Sequence, residues 1–402
     1  MDNSLQKMLR RAPEETEYYR EIFKGNSRNN LQLKDFPVVS KQTIRSDYNK
    51  FVAEFSDQET LCFSTSGTTG VPLKVIKTKY DYYTQLKNMW KVRMKSYGIK
   101  TTTRRLNLYF YDPMQDNLMF LDNRCSYNIN ATLINKAWLL ENSKDIFDFQ
   151  PEYVLGFSSA VLRFISCYEA AAIPFPTSVK HIECVGEPLL QAQAAYISRI
   201  SGAEIIKNYS CTEVLGVALS CKCGNLHVIP ENAMVEVVKN NEICQYGEEG
   251  DILLTSIHSR AMPFIRYRVG DSGSLWEGGK CACGNPNDII VISSHRPSDF
   301  IELIDGSIIH STVIGYIIEN ISYRLGNIII QYQIRQVSRE EIQINVCFST
   351  ENSVLLSATK MMFEWYIKQQ PNALHKENWV IRSYTLAEVK SAGKMPPFVR
   401  CI

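Results

Sequence analysis

Between residues 60 and 209 short apolar runs alternate with amphipathic stretches of helical period. "TLCF" (60–63) and "LKVIKT" (73–78) read as strands. Tyr83, Leu86, Met89, Trp90 and Met94 then recur at helical spacing up to Gly98, which predicts a helix with that stripe in the core. A further helix opens near Ser158 or Ser159 and ends before Pro174. A strand at 181–185, a helix over 189–200 and a strand at 203–209 follow. This βαβα rhythm predicts an α/β fold with largely parallel sheet. The first fifty residues are charged and helical in pattern, with Ser40 placed to cap a short helix. From about 226 to 276 the strands shorten and lose their helices, as in a β-rich subdomain. Beyond Arg296, "FIELIDGSIIH" reads as a hairpin turned at Asp305-Gly306. After it come a helix (311–324), strands (328–336, 341–348), a helix (352–369) and a strand (378–384). The expectation is a large domain, 1–295, and a small α+β domain, 296–402, joined at "SSHRPSD".

The length of 402 residues agrees with more than one core. A net charge of +2 offers no electrostatic case for nucleic acid or an acidic membrane. No run of 18 apolar residues suggests a membrane span, and "MDNSLQKMLRRAPEETEYY" has no signal-like apolar stretch, so a cytoplasmic protein is expected.

"STSGTTG", Ser64 to Gly70, consists of Ser, Thr and Gly alone. Glycines let backbone N–H groups converge on an anion and hydroxyls add donors, so the loop is a candidate phosphate cradle. A mobile hairpin connection is the alternative. It is no Walker A loop: the lysine is missing and a strand follows. Phosphates held there need their charge offset from elsewhere in the chain.

Four further segments change the picture: "VGEPLL" (185–190), "NYSCTE" (208–213), "RYRVGD" (266–271), and "HRPSDF" (295–300) with "KSAGKMPPFVR" (390–400). Alone, each has an ordinary explanation: a strand-to-helix turn, a helix start, a β-turn beside a surface Arg, a solvated lysine near a terminus. Taken together and in this order, with "STSGTTGVPLKV", they resemble the ANL adenylate-forming superfamily, in particular its phenylacetate–CoA ligase and coenzyme F390 synthetase (CapK-like) branch. The resemblance implies that Ser64, Thr65, Ser66, Gly67, Thr68, Thr69 and Gly70 hold the β- and γ-phosphates of ATP. It implies that Gly186, Glu187 and Pro188 border adenine and the acyl pocket, and that Tyr209 stacks on adenine. Thr212 would touch the α-phosphate and Glu213 hold Mg²⁺, which suits a cation that takes one or two carboxylates plus phosphate oxygens. Asp271 would accept from both ribose hydroxyls and Arg296 reach the ribose. Lys394 would be the catalytic lysine, on a C-terminal domain that rotates after adenylation. Ser210 stands in place of the family's usual Gly, His295 in place of the hinge Gly and Ser298 in place of the hinge's first Asp.

Of twelve cysteines, four occur as "CKCG" (Cys221, Cys223) and "CACG" (Cys281, Cys283). Two such knuckles suggest a Cys₄ structural Zn²⁺ site, the glycine after each permitting the tight turn. The C-x-C spacing is tighter than the common C-x₂-C, and four free thiols are the alternative. No basic cluster surrounds the knuckles, which argues against a nucleic-acid-binding ribbon.

The function expected is an ATP-dependent carboxylic acid ligase, with an aryl acid favoured by the branch it resembles. It would form an acyl-adenylate and pass the acyl group to a thiol, either coenzyme A or the phosphopantetheine of a carrier protein. Tyr111, Phe157, Gly186 and Tyr209 are candidate walls of the acid pocket. Two alternatives remain: an adenylyl transferase of the F390 synthetase type, which leaves AMP on its substrate, and a non-catalytic nucleotide-binding homologue.

Overall fold

The computed structural model describes the chain except residues 1–2, 26–30, 55–58, 65–72, 110–118, 123–124, 294–299, 307, 327, 350–352, 369–373, 375–376, 385–397 and 402. It divides into two compact units, Met1–Thr101 with Ile206–Ser293, and Thr102–Ile205 with Ser294–Ile402.

In the first unit the leading helices, Asn3–Glu15 and Glu17–Ile22, bury Leu9 and Tyr19 in a core shared with Phe36, Ile44, Phe51, Phe264 and Tyr267. Ser40 caps the helix Lys41–Ser46 as expected, its hydroxyl accepting from Thr43 N at 3.0 Å. Thr60–Ser64 and Lys74–Thr78 form an antiparallel pair with Ser64 opposite Lys74. The two strands are thus the stems of the Ser/Thr/Gly segment. The β-rich part is an antiparallel ladder in the order Glu242–Ile243, Ala233–Lys239, Glu249–Ser256, Tyr267–Trp276, Ile289–Ile292, Leu226–Val228, Ala218–Ser220, Glu204–Tyr209. Val39–Ser40 adds a parallel partner to Tyr267–Trp276.

The helix Lys79–Tyr97 ends at Gly98, whose φ of 73° is the left-handed conformation that closes a helix at low cost in glycine. Its inward face is not the expected stripe. Tyr83 and Met94 are exposed, and the buried positions are Asp81, Gln85, Asn88, Met89, Arg93 and Tyr97. The groups this face meets are polar. Gln85 Nε2 donates to Ser256 Oγ (3.1 Å) and His258 O (3.0 Å), Asn88 Nδ2 to Asn232 Oδ1 (3.0 Å), and Tyr97 OH to Ser220 O (2.6 Å). Buried polar groups persist where each finds a partner, so hydrophobic period alone pointed to the wrong side.

In the second unit Arg105–Tyr109, Ser126–Asn130, Tyr153–Phe157 and His181–Val185 run parallel, with Met119–Asp122 antiparallel at the edge. Fully buried Val161, Leu162, Phe164 and Ile165 of the helix Ser158–Ala171 lie in the core with Leu106, Leu108, Val154 and Ile182. The chain after Ser294 carries a second sheet, ordered Asn378–Ser383, Glu341–Phe348, Ile329–Gln336, Phe398–Arg400. The hairpin strands Phe300–Glu302 and Ile308–His310 pair as expected, and Gly306 has a positive φ. Phe398–Arg400, parallel to Ile329–Gln336, is a strand the pattern did not suggest: at three residues it is too short to carry a period. The fold class is α/β with an added α+β segment.

Candidate active site

Tyr209 ends the strand Glu204–Tyr209, and the chain then turns tightly. Cys211 N donates to Val214 O at 3.2 Å, Val214 N donates to Cys211 Sγ at 3.3 Å, and the Ser210 hydroxyl accepts from Gly216 N at 2.9 Å. The serine that replaces glycine therefore has a task of its own, holding the far side of the turn. Thr212 and Glu213 sit on that turn, Thr212 half-buried and Glu213 5% exposed.

The Tyr267–Trp276 strand brings the second half. Tyr209 OH donates to Asp271 Oδ2 at 3.0 Å, so two predicted site residues 62 positions apart are in direct contact. Tyr267 OH, fully buried, donates to Glu213 Oε1 at 2.7 Å. Among the described residues the other oxygen, Oε2, accepts no hydrogen bond. A buried carboxylate with one free oxygen fits a ligand of Mg²⁺, a cation that usually takes one or two carboxylates and completes its octahedron with phosphate and water. Tyr267 was overlooked as a site residue although it lies inside "RYRVGD"; a tyrosine followed four residues on by the predicted ribose aspartate was the available signal.

Lys77 was overlooked as well. It is 2% exposed, and its Nζ donates to the main-chain carbonyl of Glu213 at 2.9 Å and to Gln85 Oε1 at 3.2 Å. Burial draws its ammonium down to about 8, against the opposing pull of Cys211, Asp81 and Glu213. The unfolded chain holds this proton up to the ordinary lysine value. Between pH 8 and 10.5 the unfolded state therefore binds more protons, and stability rises with pH. The contribution is complete above 10.5 and is lost as pH falls through 8. The difference in unfolding free energy between the native protein and Lys77→Met should accordingly grow by on the order of 3 kcal/mol from pH 8 to 10.5 in urea titrations. A flat difference would mean that no ammonium is buried there.

Gly186, Glu187, Pro188 and Phe157 lie in the second unit. Gly186 has a φ of 77°, turning the chain after His181–Val185. The Glu187 carboxylate accepts from Ser159 N (2.7 Å) and Ser159 Oγ (3.0 Å), while Ser158 Oγ donates to Glu187 O (3.1 Å). The helix Ser158–Ala171 has no capping side chain of its own, and Glu187 supplies one from a distance. Glu187→Ala should cost about 1 kcal/mol of stability, read by denaturant titration; a neutral result would dismiss the cap. Phe157 is half-buried, its ring edge-on to Tyr109 at 5.8 Å. The positions 65–70, Tyr111, Arg296 and Lys394, together with the side chain of Ser64, lie outside the described residues.

The cysteine knuckles converge in the first unit. Cys221 N bonds to Asn225 O and Gly224 N to Cys221 O, and Gly284 N bonds to Cys281 O in the second knuckle. The group that meets is Cys221, Cys281 and Cys283 with His227, their donor atoms all within 4.8 Å of one another. To the expected Cys₄ set this adds His227 as a further candidate ligand. Cys223, exposed as Cys283 is, lies outside that group although its thiol interacts with Cys221 and Cys281, while His227, on the paired strand Leu226–Val228, is 3% exposed and points Nε2 at Cys283 Sγ, 3.3 Å away. Cys221 and Cys281 sulfurs are 3.7 Å apart. A tetrahedral zinc with Zn–S near 2.3 Å requires sulfurs about 3.8 Å apart, so the spacing fits. His227 Nδ1 lies 2.9 Å from Asn287 O, which fixes the tautomer leaving Nε2 free to ligate. The Cys281 thiol is held down to about 5 by the Cys283 backbone N–H first, then by Asn225 and His227. A single histidine three residues beyond the first glycine of "CKCGNLH" was the signal in the sequence.

No protein-family model matches the chain. The phenylacetate–coenzyme A ligase of Aromatoleum evansii is 25% identical over 282 residues, 65% of this chain and 63% of that enzyme. That of Escherichia coli (strain K12) is 25% identical over 258 residues, 61% and 58% of the two chains. The matches span less than two thirds of those ligases' own length. Among solved structures, 2-hydroxyisobutyryl-CoA ligase in the postadenylation state with 2-HIB-AMP aligns with a TM-score of 0.76 at 15% identity, covering 99% of this chain and 88% of that one. AtGH3.15 acyl acid amido synthetase aligns at 0.63 and 15%, covering 99% and 90%. These likenesses establish the fold. Among the described residues no helix is long and apolar enough to cross a membrane.

Proposed function

We propose that this chain, a homologue of the phenylacetate–coenzyme A ligases with the fold of the adenylate-forming superfamily, is an ATP-dependent acid–thiol ligase. The observation that carries the reading is the pair of contacts Tyr209–Asp271 and Tyr267–Glu213. Residues that the superfamily uses for adenine, ribose and magnesium meet here, although two separate stretches of sequence, 208–213 and 266–271, supply them. A carboxylate is a poor electrophile. Its oxygen attacks the α-phosphate of ATP, pyrophosphate leaves, and the acyl-adenylate formed is then attacked by a thiol, with AMP as the second leaving group. Bringing two anions into line is chiefly positioning and charge neutralisation. In this reading Ser64–Gly70 cradles the triphosphate, Thr212 faces the α-phosphate, Glu213 holds Mg²⁺, and Asp271 and Arg296 take the ribose. Lys394 bridges the reacting groups from a mobile C-terminal domain, 296–402.

The acid we infer is an aryl acid, in keeping with the phenylacetate ligases among the relatives. Coenzyme A is the acceptor named in those relatives; a carrier protein's phosphopantetheine presents the same thiol. The Cys221, His227, Cys281, Cys283 group would hold a structural zinc, closed to substrate because four protein ligands fill it. The test is acid-dependent ATP–pyrophosphate exchange over a panel of aryl and short aliphatic acids, followed by addition of coenzyme A or a carrier protein. Exchange with an aryl acid and AMP release on adding the thiol are expected. AMP retained on the product would instead assign an adenylyl transferase.

A further inference from the structure

The strand Lys74–Thr78 leaves the Ser/Thr/Gly segment and carries Lys77 near its end. Glu213 lies 136 residues further on, on the turn after Glu204–Tyr209. The Lys77 ammonium, bonded to the Glu213 carbonyl at 2.9 Å, joins these two parts of the chain. The same residue's carboxylate is held by Tyr267, at 2.7 Å. Glu213 is therefore pinned at both its backbone and its side chain, and each pin is a fully buried polar group.

Burying an ammonium is expensive, and an apolar side chain of similar volume in that place usually gives equal or better stability. Stability alone does not account for a lysine here. Its surroundings do: Gln85 Oε1 accepts a second of its hydrogen bonds, and Gln85 is itself tied to Ser256 and His258. The ammonium is thus fixed from the scaffold side and aimed at the turn. Asp81, which also faces it electrostatically, is held by Arg260 N at 2.8 Å, so it does not draw Lys77 away.

We infer that Lys77 is a positioning residue: through the Glu213 carbonyl it sets the place of the metal-binding carboxylate relative to the strand that leaves the phosphate-binding segment. The inference rests on the ligase reading, since it takes Glu213 as the Mg²⁺ carboxylate. A displacement of about 1 Å at such a site can cost on the order of a hundredfold. The loss should fall on the magnesium-dependent part of nucleotide binding, because Lys77 is buried and bonded to Glu213 and Gln85.

The experiment measures ATP affinity of the full chain by equilibrium titration, with Mg²⁺ and with a chelator, for the native protein, Lys77→Met and Gln85→Met. In the native protein Mg²⁺ tightens ATP. In Lys77→Met that gain should shrink roughly ten- to hundredfold, with chelator-condition affinity within about twofold of native. Gln85→Met removes the scaffold partner but leaves the bond to Glu213. It should lower the melting temperature and keep the gain. If Lys77→Met does not fold, Lys77→Gln, too short to reach the carbonyl, is read in the same way. An undiminished gain in the Lys77 variant overturns the inference, and so does an equal loss in Gln85→Met, which would make the effect one of general packing. A native protein that binds ATP with no gain from Mg²⁺ and shows no exchange with any acid would overturn the ligase reading itself, and this inference with it; that result is distinct from the other two.

Discussion

Glu213→Gln is expected to slow acid-dependent ATP–pyrophosphate exchange by roughly 10³-fold while ATP still binds. The substitution keeps the size of the side chain, and its carbonyl oxygen can still accept from the Tyr267 hydroxyl. What it loses is the negative charge that would anchor Mg²⁺ against the phosphates. Charge stabilisation by a metal in a transition state is worth several kcal/mol, and each 1.36 kcal/mol is a factor of ten in rate. Tyr267→Phe removes one neutral donor to the same carboxylate and should cost only about tenfold. Lys394→Ala belongs with Glu213→Gln: loss of the ammonium proposed to neutralise charge at the α-phosphate should abolish measurable exchange and leave ATP binding in place. Exchange rates in Glu213→Gln within a few fold of native would take this carboxylate out of the mechanism. ATP found bound away from Tyr209 and Asp271 would do the same for the whole site.

The second large effect concerns the metal. Elemental analysis should find about one zinc per chain. His227→Ala should lose it, and Cys223→Ala should keep it. A metal present at about a thousand times its dissociation constant contributes about 4 kcal/mol of stability. Chelation, or His227→Ala, should then lower the melting temperature by roughly 10 °C. The physical reason is local: two knuckles 60 residues apart meet only here, and no disulfide joins them among the described residues. Absence of metal in carefully prepared protein, or its retention in His227→Ala with loss in Cys223→Ala, would return the site to free thiols or to four cysteines respectively.

Legibility varied with the kind of signal. Helices and strands with a clear period were readable: Ser158–Ala171, His181–Val185 and Glu341–Phe348 lie within a residue or two of their expected positions. Residues joined by short-range geometry, such as Ser40 over Thr43 or Gly98 closing its helix, were also readable, because their partners are three or four positions away. The buried face of Lys79–Tyr97 was misread because its environment is polar, and a hydrophobic count cannot register an interior built from amide and hydroxyl pairs. Tyr267 sat inside a stretch already singled out, His227 three residues beyond one, and both were still missed. Nothing in a linear string says that a tyrosine hydroxyl reaches a glutamate 54 residues away, or that a histidine on the strand after one knuckle faces a sulfur of the other.

The sequence by itself determined the alternation of elements, the α/β class, and which residue types are available for phosphate, ribose, magnesium and thiolate chemistry, because these depend on local propensity and on side-chain identity. Only the tertiary structure decided which of those residues meet. It set Tyr209 on Asp271, clasped Glu213 between Tyr267 and Lys77, and put His227 with Cys221, Cys281 and Cys283. Contacts of this kind are made by strands crossing a sheet. Their partners are chosen by register and burial over the whole unit, which no window of neighbouring residues contains.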